Sequence, residues 1–132
     1  MRNSTQRRRI LYLKSIIERE SDWQHGLTME RILDMLAIHG VYVERKTIYA
    51  DFDTLQEIGM DIQRPAGSDK TYRLLSRDFE VEELEVIASA LLAYERTPTS
   101  KTLSILRKLN RLCSRMEARR LSELIWRTMQ KN

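Results

Sequence analysis

The side chains best suited to hydrogen bonding with a ligand are concentrated in one short run of the chain. They are Arg45, Lys46, Thr47 and Tyr49, with the small Ala50 beside them. Arginine and lysine can reach guanine edges or phosphates, threonine and tyrosine can hydrogen-bond backbone oxygens, and alanine allows close approach. On the outward side of one helix, this set would suit the major groove of double-stranded DNA.

The same stretch carries apolar residues at helical spacing. They are Ile48, Phe52, Leu55 and Ile58. One stripe of the helix must therefore face a core, while the polar residues of its first turns stay outward. Gly59 supplies the left-handed residue that commonly ends a helix. The pattern predicts a recognition helix over about 45–58, whose N-terminal N–H groups and positive dipole end point towards phosphate.

A second short helix precedes the recognition helix. Thr28 is a suitable N-cap for it, and His39-Gly40 ends it after Ile38. Its buried stripe consists of Met29, Ile32, Leu33 and Leu36. The pattern is typical of a helix-turn-helix: one helix is followed by a tight turn with glycine and by a second helix with an outward polar N-terminus. An ordinary helical hairpin is the alternative interpretation.

The flanking segments extend this pattern to a small domain. An amphipathic helix is predicted over about 5–20, and a β-hairpin over about 61–75 follows the recognition helix. A hairpin in this place predicts a wing, in which Arg64, Lys70 and Arg73 meet the minor groove or backbone phosphates. The basic N-terminal arm contains Arg2, Arg7, Arg8 and Arg9. In this arm, Arg7 and Arg8 are further candidates for phosphate contacts. The alternatives are a hairpin that only covers the core and an arm that is only solvated.

From Phe79 onwards the pattern is helical to the end of the chain. Thr97-Pro98 predicts the start of one helix, and Ser114 with Glu117 has the spacing of a capping box at the start of the next. The middle helix is expected to bury four leucines, with Cys113 beside them as a small core residue. These leucines are Leu103, Leu106, Leu109 and Leu112.

The last helix carries a further group of apolar residues. They are Leu121, Leu124, Ile125, Trp126 and Met129. Three short helices have more apolar side chains than they can bury against one another, and large aromatic residues are enriched in interface cores. The sequence therefore predicts a homodimer through these five residues. The alternative is that the same surface docks another module.

Composition and residue spacing exclude several classes of function. The 132 residues carry a net charge of only +4 and a single cysteine. Neither His25 nor His39 has further ligands at metal spacing, and no nucleophile–base pair or phosphate-binding glycine loop can be assembled. The sequence predicts no metal, no cofactor, no catalytic residue and no enzyme. With no apolar run for a membrane span or signal peptide, we expect a cytoplasmic protein that is nucleoid-associated when bound to DNA.

One run of the sequence resembles a known family. The segment RKTIYADFDTLQEIGMDI, preceded by LTMERILDMLAIHGVYV, resembles the N-terminal winged helix-turn-helix of bacterial WYL-domain transcriptional regulators. Their recognition helix has the pattern S-R-[RK]-T-[IV]-x-x-D-[IL]-x-x-L-x-x-x-G. Seven residues match it in register: Arg45, Lys46, Thr47, Ile48, Asp51, Leu55 and Gly59. Glu44 replaces the usual small N-cap hydroxyl, and Phe52 replaces an aliphatic residue.

The resemblance continues through the hairpin and 79–92, so it covers most of the chain. In the family, helices in this position link the DNA-binding domain to a ligand-binding sensor module named for its WYL tripeptide. This chain has no such tripeptide, so the resemblance implies no small-molecule effector. The chain is either a naturally short relative or a fragment of a longer regulator.

Together, these patterns predict a mainly α protein. A winged helix-turn-helix DNA-binding domain is expected over 1–76, and a helical linker or dimerisation segment over 77–132. The preferred function is a sequence-specific DNA-binding transcriptional regulator. The alternative is a protein-interaction module of the same shape with weak DNA binding, which acts through helices in 80–130. The segment 41–60 favours this alternative, because it carries two basic and four acidic residues.

Overall fold

The computed structural model describes residues 2–94 and 98–131. Within these ranges the chain is mainly helical and carries a small three-stranded antiparallel sheet, which confirms the mainly α class. The chain divides into two compact units, Met1–Ser76 and Arg77–Asn132, which are called unit 1 and unit 2 below.

The described part of unit 1 contains three helices and three strands. They are α1 (Arg2–Glu20), β1 (Leu27–Thr28), α2 (Met29–Ile38), α3 (Arg45–Glu57), β2 (Ile62–Gln63) and β3 (Thr71–Leu74). All six elements contribute to one apolar core. Its buried side chains are Leu13, Ile16, Ile17, Leu27, Met29, Ile32, Leu36, Val41, Ile48, Phe52, Leu55, Ile62, Tyr72 and Leu74.

The sheet is larger than the two-stranded hairpin that the sequence predicts. Strand β3 lies in the middle and pairs antiparallel with β2, opposite Ile62, and with β1, opposite Leu27. The sequence pattern assigns Leu27–Thr28 only to the entry of α2. Two residues are too short to show the period of a strand, and the partner Tyr72 lies far along the chain.

The ends of α2 and α3 follow the predicted signals. The backbone N–H of Arg31 donates to Thr28 Oγ1 at 3.2 Å, so Thr28 is the N-cap of α2. Gly40 and Gly59 have φ of 76° and 102° after the two helices, in the left-handed region that favours glycine. The prediction for Ile58 is wrong, because this residue is the C-cap of α3 and its side chain is 64% exposed.

Unit 2 consists of helices and one short 3-10 turn within the described residues. They are α4 (Val81–Tyr94), α5 (Ser100–Leu109), the turn Asn110–Leu112 and α6 (Arg115–Lys131). The predicted capping box of α6 is confirmed. The N–H of Ser114 donates to Glu117 Oε1 at 3.1 Å, and the N–H of Glu117 donates to Ser114 Oγ at 3.1 Å.

Two predictions for the middle helix are wrong. Helix α5 does not begin at Pro98: its N-cap is Thr99, whose Oγ1 accepts from the N–H of Thr102 at 3.2 Å. The other predicted cap, Thr97, lies outside the described residues. Leu112 is 47% exposed, because the helical spacing of the leucines is interrupted by the tighter 3-10 turn. Cys113 is fully buried in the core of unit 2, as predicted.

Candidate nucleic-acid interface

The first turns of α3 separate polar and apolar side chains. Ile48 is fully buried in the core, whereas Arg45, Lys46 and Tyr49 are exposed and Thr47 is half-buried. The guanidinium of Arg45 lies 3.8 Å from a carboxylate oxygen of Glu30 on α2, and both side chains are more than half exposed. Such a pair is weak and can be exchanged for another anion at little cost.

The N-terminus of α3 is open to an anion. Glu44 occupies the N-cap position, but its side chain makes no hydrogen bond to the helix. Only its backbone carbonyl is used, which accepts from the N–H of Thr47 at 3.1 Å. The first N–H groups of a helix have no partner within the helix, so no cap side chain competes with a phosphate here.

Arg64, at the end of β2, folds back onto α3. Its Nη2 donates to the backbone oxygen of Tyr49 at 2.9 Å and lies 2.9 Å from Asp53 Oδ1. The guanidinium carbon stands 5.7 Å from the centre of the Phe52 ring, within the range of a cation–π contact. Arg64 therefore joins the start of the hairpin to the middle of α3.

A stacked aromatic pair lies beneath this contact. The rings of Phe52 and Tyr72 are 4.3 Å apart and 7° from parallel, so α3 and β3 meet through flat surfaces. Burial raises the pKa of the Tyr72 phenol, and the nearby Tyr49 acts in the same direction. The charges of Arg64 and Arg45 act in the opposite direction. The Phe52–Tyr72 stack and the contacts of Arg64 with Tyr49 and Asp53 bring α3 and the hairpin together at this point.

The turn of the hairpin is ordered by its own backbone and by Asp69. The N–H of Ala66 donates to the oxygen of Asp69 at 2.9 Å, and Gly67 takes a positive φ of 58° between them. Hydrogen bonds from the Thr71 hydroxyl and N–H lower the pKa of the Asp69 carboxyl. Lys70 is exposed on this ordered turn and is free of ion pairs with the described residues.

Arg73 is only partly available to a ligand. Its Nη1 donates to the backbone oxygen of Trp23 at 3.1 Å, and its Nε lies 3.4 Å from Asp69 Oδ2. Because these contacts hold the side chain along the sheet, a phosphate contact by Arg73 has to use the remaining guanidinium N–H groups.

A largely buried ion pair joins α1 to α3. Arg9 Nε lies 2.6 Å from Asp51 Oδ2, and Arg9 Nη2 donates to Asp51 Oδ1 at 2.9 Å. The hydrogen bond with Asp51 raises the pKa of the Arg9 guanidinium. Arg7 and Arg8 are exposed in the preceding part of α1, which this contact fixes against α3.

Sequence reasoning missed the role of this pair. It assigned Arg9 to the basic arm and gave Asp51 no contact. A signal was present, because Asp51 lies three residues after Ile48 and four before Leu55, on the buried stripe. A carboxylate in that place requires a cation from another element.

The predicted dimer residues occupy different environments in unit 2. Leu121 is fully buried in the core of this unit, and Ile125 and Met129 pack against that core. Leu124 is half-buried, whereas Trp126 is 63% exposed. The described part of unit 2 therefore buries much of the surface that the sequence assigns to a partner.

Within the described residues, no group of three or more histidine, cysteine, aspartate or glutamate side chains is arranged to hold a metal ion. None of the described helices combines the length and apolar character needed to cross a membrane. Comparison of the chain with protein-family models, with curated proteins and with solved structures gave no match.

Proposed function

We propose that unit 1 is a winged helix-turn-helix and that the protein is a sequence-specific DNA-binding transcriptional regulator. In this proposal α3 enters the major groove, and the hairpin from β2 to β3 lies on the backbone or in the minor groove. One observation carries the proposal. The exposed first turns of α3 and the hairpin are joined by Arg64 through Tyr49 and Asp53 into one surface.

The proposal gives each element a role in binding. Arg45 and Lys46 contact base edges or phosphates, and Thr47 and Tyr49 hydrogen-bond phosphates or base edges. Four further cations supply phosphate contacts: Lys70, Arg73, Arg7 and Arg8. Arg64 acts mainly as a positioning residue, because its Nη2 group is already engaged by α3.

The negative charge of α3 is partly compensated, which supports DNA binding over the alternative. The segment 41–60 contains four acidic residues, Glu44, Asp51, Asp53 and Glu57. Arg9 pairs with Asp51 and Arg64 pairs with Asp53, and both arginines lie outside this segment. Half of the acidic side chains are therefore neutralised before DNA arrives, and repulsion of phosphate is smaller than the sequence count suggests.

Selection of bound sequences from a random DNA pool tests the proposal. We expect a preferred sequence, and we expect Arg45→Ala to weaken binding to it by roughly 1–3 kcal/mol if this side chain is bidentate to guanine. If Arg45 contacts only phosphate, affinity falls evenly across sequences. Thr54→Ala, on the exposed later part of α3, is the matched control. Unchanged binding by a folded Arg45→Ala, Lys46→Ala double variant would contradict the proposal.

A second function, self-association of the chain, is favoured by one observation on α4. This helix buries one side in the core of unit 2, yet its other side is also apolar. The exposed apolar residues on that side are Val86, Ile87, Ala90, Ala93 and Tyr94, and the exposed Glu83 lies at the N-terminal end of the same side. We propose that this α4 face pairs with a second copy of the chain, because small alanines allow helices to approach closely. A two-fold dimer would also bind two DNA half-sites at once.

A further inference from the structure

Unit 2 contains an excess of positive charge that the proposed recognition surface does not use. The segment 101–132 has nine basic residues and two acidic ones. Arg120 pairs with the acidic helix α4, at 2.7 Å from Glu85 and 3.4 Å from Glu82. Other cations on α5 and α6 lie exposed on the surface of the described residues.

One contact between α5 and α6 organises several of these cations. Asn110 Nδ2 donates to Ser122 Oγ at 3.2 Å and joins the end of α5 to the middle of α6. Three arginines lie near the two residues of this contact in the sequence: Arg107, Arg111 and Arg119. We call this group the α5–α6 seam. All three side chains are exposed.

Helical spacing places these arginines on the same side of the hairpin as the contact. Arg107 precedes Asn110 by three residues, one turn of helix, and Arg111 follows Arg107 by four. Arg119 precedes Ser122 by three residues. Residues three or four apart on a helix are neighbours on its surface, so positive charge collects along the seam.

The nearby carboxylates leave most of this charge uncompensated. Among the described residues, Arg107, Arg111 and Arg119 make no ion pair. Glu117 is buried in the capping box, and Glu123 is the one exposed carboxylate of α6. The acidic side of α4 meets α6 at Arg120, two residues from Ser122 and so on the far side of the helix from the seam.

We propose that the α5–α6 seam is a second phosphate-binding surface, whose ligand is the sugar–phosphate backbone of double-stranded DNA. This inference rests on the proposed function, because it assigns the same ligand to a second part of the chain. Arginine has a planar fork that binds phosphate oxygens in pairs, so an arginine cluster suits a polyphosphate better than a protein carboxylate surface. Its contribution is to affinity and is independent of base sequence.

The salt dependence of DNA binding by the full-length chain tests this inference. Binding of a random-sequence duplex is measured by fluorescence anisotropy over a series of KCl concentrations. We expect Arg111→Gln with Arg119→Gln to lower the magnitude of the log–log salt slope by about two, because two phosphate contacts are lost. The preference for the selected sequence over random DNA is expected to stay the same.

A control variant with the same change of net charge separates local contact from general attraction. Lys101→Gln with Arg127→Gln removes two exposed cations from α5 and α6 away from the Asn110–Ser122 contact. We expect this control to change the slope much less than the seam variant. Equal slopes for the two variants would overturn the inference and leave only a general effect of net charge.

The recognition-helix variant distinguishes failure of this inference from failure of the proposed function. If Arg45→Ala with Lys46→Ala abolishes sequence preference while the seam variant keeps the wild-type slope, the seam is only a solvated face. If the seam variant lowers the slope while the recognition-helix variant binds as the wild type does, the seam is upheld and the proposed role of α3 fails.

Discussion

Tyr72 is buried in the core of unit 1, and its burial affects both the packing of the core and the pKa of its phenol. Its ring stacks on Phe52, and its residue is 4% exposed. Burial disfavours the phenolate, which is why the pKa of the phenol is raised. The neutral hydroxyl is therefore part of the folded state, and its ionisation opposes folding.

The raised pKa predicts a loss of stability at alkaline pH. In the unfolded chain the phenol ionises near its ordinary value of 10.0, and in the fold it ionises at a higher pH. The stabilisation is complete below pH 10.0 and is lost as the pH rises through the folded value. Urea unfolding at neutral and alkaline pH should show a smaller decrease in the free energy of unfolding for Tyr72→Phe than for the wild type.

Tyr42→Phe is the control for this measurement, since Tyr42 is 81% exposed in the same unit. It should leave the alkaline decrease as it is in the wild type. Equal decreases in the wild type and in Tyr72→Phe would show that the buried phenol is not responsible.

Individual residues were predictable where the signal lay in the neighbouring sequence. Thr28 was identified as an N-cap and Ser114 with Glu117 as a capping box, because caps depend on residues within one turn. The contacts of Arg9 and Arg64 were not predicted. Their partners Asp51 and Asp53 lie on another element, and short-range spacing does not encode which elements become neighbours.

At the scale of elements, the hairpin and α3 are joined by side-chain contacts of Arg64. Arg64 fixes the start of the hairpin to α3, whereas Lys70 on the turn is exposed. The order of helices and the hairpin could be predicted from periodicity and turn residues. Strand β1 could not, because its two residues form a strand only through pairing with β3.

Two substitutions in the hairpin should therefore have different effects on DNA binding. Lys70→Gln should lower the magnitude of the log–log salt slope by about one, since it removes one phosphate contact. Arg64→Lys keeps the charge but loses the planar guanidinium, whose carbon lies over the Phe52 ring and whose Nη2 contacts both Tyr49 and Asp53. It should weaken specific binding and leave the salt slope close to that of the wild type.

Binding titrations of both variants at several salt concentrations check this prediction, with thermal unfolding to confirm that each is folded. If Arg64→Lys binds the selected sequence as tightly as the wild type, the contact with α3 does not position the hairpin. An unchanged slope for Lys70→Gln would assign the turn a structural role only.

For the whole molecule, the exposed apolar residues are only partly the ones that the sequence predicts. Sequence analysis assigned the partner surface to α6, but Leu121 is inside the core of unit 2. Exposed apolar residues also lie on α4, where Val86 is 69% and Tyr94 is 83% exposed. Helical spacing places Leu84, Ala88 and Leu92 on the stripe of α4 that is buried, but it does not show what covers the apolar residues on the other side.

The α4 face predicts a concentration-dependent dimer. In sedimentation velocity at micromolar concentration, the wild type should sediment as a dimer and Val86→Glu as a monomer, because a charge in an apolar interface is costly. Ser100→Glu, at the exposed start of α5, should remain dimeric. Loss of the dimer in Trp126→Ala but not in Val86→Glu would assign the interface to α6, and a monomeric wild type would contradict both.

The central position of β3 has a consequence for synthesis of the protein. Leu27 of β1 can pair only after Tyr72 has been synthesised, and Arg9 can pair only after Asp51 has been synthesised. These contacts join the early part of unit 1 to residues far along the chain. Such non-local contacts slow folding relative to helical hairpins. While the chain emerges from the ribosome, α1 and α2 are made before α3 and β3 exist. Unit 1 can complete its sheet only after Leu74 has left the exit tunnel, so a pause in translation before that point would leave the aromatic face of α3 uncovered.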